Sequence, residues 1–108
     1  MKKISHGQWW GRNKIRLKIM FDDNPHCFWC GEEVEYFENR MVFQPNNMAT
    51  VDHLFSNTDG RRKWYKKNHI PSPIVLSCYR CNHERDRLEP EEFGKLKNTK
   101  INFDYIYY

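Results

Sequence analysis

Two C-x-x-C pairs constrain this chain more than any other feature. Cys27 and Cys30 form the first pair, Cys78 and Cys81 the second, and forty-seven residues lie between them. A two-residue gap lets both thiolates of a tight turn face one ion, and two such turns complete the tetrahedron that Zn²⁺ accepts. Two disulfides are the alternative use of four cysteines. No charged-then-apolar leader opens the sequence and no apolar run approaches membrane-spanning length, so the expectation is a reducing, cytoplasmic setting with no membrane, and one structural Zn²⁺ on Cys27, Cys30, Cys78 and Cys81. A chain of 108 residues buries a modest core, which makes such a clasp valuable. The spacer is longer than a plain zinc finger needs, so something is built between the two knuckles.

The formal charge of +4 favours a polyanionic partner mildly, and its distribution says more. Residues 1–20 carry Lys2, Lys3, Arg12, Lys14, Arg16 and Lys18 with no acidic residue, and Trp9 and Trp10 lie among them. That is a basic, aromatic arm suited either to phosphates or to a solvated face with its tryptophans in the core. Lys14–Phe21 fits strand alternation and helical spacing equally. Asp22-Asp23-Asn24-Pro25 stops it, and Gly31 supplies the return of the first knuckle. Glu32–Phe43 reads as irregular strand and loop, and Ala49–Phe55 as a β-prone run ending in a turn at Ser56–Gly60. Arg61–Lys67 then packs Arg61, Arg62, Lys63, Lys66 and Lys67 around Trp64 and Tyr65, and reads as a basic loop. Ile74–Ser77 is a second strand that delivers the chain into Cys78. Asn82–Leu88 is a short helix, Pro90 opens another, and the tail from Ile101 is aromatic and β-prone. The expected division is an arm over 1–26, a zinc-clasped domain over 27–93 and a tail over 94–108.

An Asp-His on a strand, a loop, a second strand, a C-x-x-C and a helix opening on Asn together resemble the HNH, or His-Me finger, nucleases with a zinc-ribbon clasp. The matching residues are Val51-Asp52-His53, Ile74-Val75-Leu76, Cys78-x-x-Cys81 and Asn82, and among the branches of the family the phage recombination endonuclease VII type looks close. The resemblance implies a small α+β fold with a ββα-metal core clasped by the four-cysteine zinc site, and an endonuclease hydrolysing phosphodiester bonds in an intracellular, phage-like setting. Carried over, Asp52 and Asn82 hold a catalytic Mg²⁺ or Mn²⁺ and His53 is the general base. The partner is DNA, with RNA as the other nucleic acid, held by Arg61, Arg62, Lys63, Lys66, Lys67 and Arg85, and the chain acts as a monomer or small homo-oligomer.

The residue types suit that chemistry independently. A neutral imidazole titrating near pH 7 can take a proton from water attacking phosphorus, and a hard cation prefers the oxygens of a carboxylate and an amide. Three departures stand against the pattern, the first being that this short chain has little room for the dimerising helical region of the endonuclease VII type. Pro73 occupies the place of the family's middle Asn, and Asp59-Gly60-Arg61-Arg62 replaces its Gly-rich loop. The alternative function is a zinc-ribbon module that binds nucleic acid or protein without cutting.

Overall fold

A computed structural model describes residues 12–39 and 42–108. Its centre is an antiparallel pair of strands, β1 (Ala49–His53) and β2 (Ile74–Cys78), in the register Ala49↔Cys78 through His53↔Ile74. The β-branched and apolar run of β2 is buried along its whole length, which fits a strand covered on both faces. β1 alternates less cleanly, because it carries polar Thr50, Asp52 and His53 towards its end.

Between the strands the chain forms a helix, α2 (Gly60–Lys67), where a basic loop is expected. No apolar face announces it: none of its residues is buried. Its ends are set by short-range chemistry instead. The Asp59 carboxylate caps the first turn by accepting from the Arg61 backbone N–H at 2.9 Å, and Asn68 closes the last by donating from its amide to the Trp64 carbonyl at 2.8 Å.

β2 passes directly into α3 (Tyr79–Arg85), so the second knuckle lies at the strand-to-helix joint. Cys78 is the N-cap of α3, with its Sγ accepting from the Cys81 N–H at 3.4 Å. The next two orphan donors, Tyr79 and Arg80 N–H, are taken by the carbonyls of Met48 and Asn46 just ahead of β1. Helix formation therefore starts three residues earlier than Asn82.

Residues on both sides of this unit share its core. The Lys14–Phe21 stretch is helical, inside α1 (Arg12–Asp23), and Met20 is fully buried. Helix α4 (Pro90–Leu96) has Pro at its start and Glu91 and Glu92 in its first turn, and it sets Phe93 edge-on to Trp29 at 5.1 Å. In the tail, a 3₁₀ turn (Phe103–Tyr105) leads to Tyr107, which exchanges both backbone hydrogen bonds with Ile74 on the β2 edge. Ile106 and Tyr107 are buried, and the Tyr107 hydroxyl reaches Asp23 at the end of α1 at 2.5 Å. The boundaries expected at 26/27 and 93/94 thus cut through one continuous core. The basic arm ahead of Arg12, with Trp9 and Trp10, lies outside the described residues.

Candidate functional site

The first knuckle is a turn closed by Gly31 N–H on the Cys27 carbonyl, with Gly31 at φ +75°, where a side chain is strained. Phe28 N–H bonds the Leu76 carbonyl at 2.8 Å and so fixes this turn against β2. The result brings all four Sγ atoms within 4.8 Å of one another, with Cys30 and Cys78 4.0 Å apart. Zn–S bonds of about 2.3 Å in a tetrahedron require sulfur separations of about 3.8 Å, so the cluster fits one zinc-sized ion after a small contraction. Its electrostatics ask for one. Burial pushes the Cys78 thiol up to about 11 and drives Cys81 higher still, each helped by neighbouring sulfur charge. At Cys27 burial pulls the same way, but backbone N–H groups of Cys78, Cys30 and Trp29 outweigh it and leave the thiol below its ordinary value. A divalent cation supplies the missing counter-charge and deprotonates coordinating thiols. His26 beside the cluster is exposed and is not one of the four-membered group.

Trp29, inside the first knuckle, links this clasp to the strand end. It is 1% exposed, and its indole N–H donates to Asp52 Oδ2 at 2.9 Å. The same oxygen accepts from Arg85 at 3.1 Å. The Arg85 guanidinium also donates to the carbonyls of His53, at 2.7 Å, and Leu54, reaches the Leu88 carbonyl at 3.1 Å, and lies over the Trp29 ring. Arg85 is 1% exposed, which corrects its expected place among the phosphate-binding residues. Its planar fork is consumed in closing α3 onto the end of β1. Burial raises the Asp52 carboxyl, and Arg85 and Trp29 oppose that rise without cancelling it.

Asn82 sits one turn before Arg85. Its side-chain amide donates to Thr50 Oγ1 at 3.0 Å and to the Val51 carbonyl at 3.4 Å. Strand alternation places Thr50 and Asp52 on one face of β1, so Asn82 and Arg85 meet the same face from α3 and His53 projects from the other. Among the described residues no hydrogen bond to Asn82 Oδ1 or Asp52 Oδ1 is present. Asn82 opens onto a groove of about 470 Å³ shared with Met48, Thr50, Tyr79, His83 and Asp86.

The five cations of α2 do not share one environment. Arg61 is held by Asp59 at 2.8 Å and by Glu91 at 2.5 Å, and stacks over Phe55 at 4.4 Å. Lys63, Lys66 and Lys67 are exposed and Arg62 is half-buried. Reading the sequence alone passes over Trp29, Thr50 and the capping role of Asp59. Of these Trp29 leaves a signal, as a large aromatic enclosed between two cysteines of the cluster. No family model, no curated protein and no solved structure matches the chain. Among the described residues no helix is long and apolar enough to cross a membrane. What stands is a small α+β fold of two strands and four helices among the described residues, with a cysteine cluster able to hold a metal ion such as zinc.

Proposed function

We propose that this chain is a metal-dependent HNH endonuclease that hydrolyses phosphodiester bonds in DNA. The observation that carries the reading is the approach of α3 to the end of β1: Asn82 is tied to Thr50 and Val51, and Arg85 to Asp52 and His53. In this reading Asp52 Oδ1 and Asn82 Oδ1 hold Mg²⁺ or Mn²⁺, which supplies charge neutralisation at the phosphate and leaving oxygen. His53 accepts the proton of the attacking water, and the Arg85 bond to its carbonyl fixes the backbone from which the imidazole projects. The zinc clasp acts through Trp29, whose indole orients Asp52 from the first knuckle. The exposed cations of α2, Lys63, Lys66 and Lys67, hold the nucleic-acid backbone, with Arg62 beside them.

One observation favours the second reading, a binding module that does not cut. Arg85 already neutralises Asp52, so the carboxylate offers a free divalent ion less charge than an unpaired Asp does. Nicking of supercoiled plasmid decides between the two. The nuclease reading expects nicking with added Mg²⁺ or Mn²⁺, none without it, and loss in His53→Ala. Zinc-loaded protein that binds plasmid but never nicks it is the binding module.

A further inference from the structure

Trp64 is 54% exposed in the middle of α2, and no hydrogen bond to its indole N–H exists among the described residues. An aromatic so placed is unusual on a helix whose neighbours are nearly all cations. At about 100° per residue, Lys66, Lys63, Lys67 and Trp64 fall within an arc of about 160°, and Arg61 and Tyr65 occupy the opposite side. The contacts agree with that division. Tyr65 stacks on Phe55 at 6.0 Å, Arg61 lies over the same ring, and Arg61 is anchored to Asp59 and Glu91. One side of α2 fastens it to the protein, and the other presents three lysines beside a half-exposed indole that meets the Tyr65 ring edge-to-face at 5.1 Å, with no acidic residue within the helix.

We infer that this face binds single-stranded nucleic acid, with Trp64 stacking on an unpaired base and the lysines following its phosphates. A base in a duplex hides both its faces, whereas an unpaired one offers them, and stacking on aromatics does not depend on base identity. The inference rests on the nucleic-acid reading above and adds to it the strandedness of the bound segment. α2 lies in the connection between the ends of β1 and β2 where His53 pairs with Ile74.

The test measures binding of labelled oligothymidine and of a duplex of equal length to the full zinc-loaded chain, without added Mg²⁺. Trp64→Ala should weaken the single strand about 10-fold and the duplex less than about twofold. Trp64→Phe should recover most of the loss, and the salt slope should not change, because no phosphate contact is removed. Equal effects on both nucleic acids, or none, overturn the inference, as does a stronger Trp64-dependent response to anionic vesicles than to oligothymidine. A chain that nicks plasmid yet shows no Trp64 effect overturns this inference alone. One that shows the Trp64 effect and never nicks supports it and removes the nuclease reading.

Discussion

Arg85 shows how one side chain can decide what its neighbours are able to do. Its guanidinium satisfies three backbone carbonyls and one carboxylate in an interior where any of them left alone is costly. Arg85→Ala should destabilise by about 3–5 kcal/mol, because it strands a buried Asp52 charge. Asp52→Asn removes that charge, so the double variant should be less destabilised than the sum of the two singles by about 1 kcal/mol or more in a denaturant-melt cycle. Strict additivity would mean that Arg85 acts through its carbonyl bonds alone. The same pairing bears on the proposed catalytic ion. With Asp52 half-satisfied, Mn²⁺ should bind the free chain weakly and more tightly when a phosphodiester completes its shell, which calorimetry with and without a non-cleavable oligonucleotide measures. His53→Ala should leave that binding intact and lower nicking by about 10²–10⁴-fold, whereas Asp52→Ala should lose the ion itself. The sequence singles out Asp52, His53 and Asn82 by motif. It leaves Arg85 on the surface, because helical spacing alone does not tell which side of a short polar helix meets a strand.

At the scale of elements, legibility follows the range of the forces. Both strands announce themselves through β-prone runs, and α4 through Pro90 and its acidic first turn. The stretch that forms α1 satisfies two periods at once, and burial of Met20 decides between them. α2 reads as a loop because Gly60–Lys67 has no apolar stripe, and its capping residues, Asp59 and Asn68, look like turn residues in the sequence. Beside the Tyr65–Phe55 stack its attachment is electrostatic, and that part should be lost in acid. The bond from Arg61 holds Asp59 below the usual carboxylate range, and Arg61 does the same for Glu91. Depressed folded values mean that this stabilisation is complete above about pH 5 and is lost as pH falls through the lowered values. Acid also releases zinc from thiolates, so the informative quantity is the difference from Arg61→Gln. Wild-type amide signals of α2 should hold to lower pH than those of Arg61→Gln, with β1 and β2 responding alike in both. Identical titrations would detach α2 from the Asp59–Arg61–Glu91 contact.

For the whole molecule the cysteine cluster is the junction on which distant segments depend. The first knuckle ties α1 to β2 through Phe28, its Trp29 carries Phe93 of α4 and the Asp52–Arg85 pair, and the second knuckle begins α3. The tail closes the same body, since Tyr107 joins the β2 edge to Asp23 of α1. The two C-x-x-C pairs make the clasp legible, but the role of the tail is not, because pairing at a strand edge leaves no local pattern. Loss of the ion should therefore act globally. Stripping zinc leaves thiols that repel one another as thiolates, and it removes the bonds that join the two knuckles. Cys78→Ser removes one of the four sulfur ligands while leaving an oxygen able to cap α3, so the cost of about 4 kcal/mol or more and the fall of about 15–30 °C in melting temperature report loss of the ion. One zinc per chain by metal analysis, with cooperative unfolding on chelation and recovery on adding Zn²⁺, is the expected result. A chain that melts at the same temperature with and without chelator would leave the cluster as four free thiols and return the stability of the fold to its apolar core.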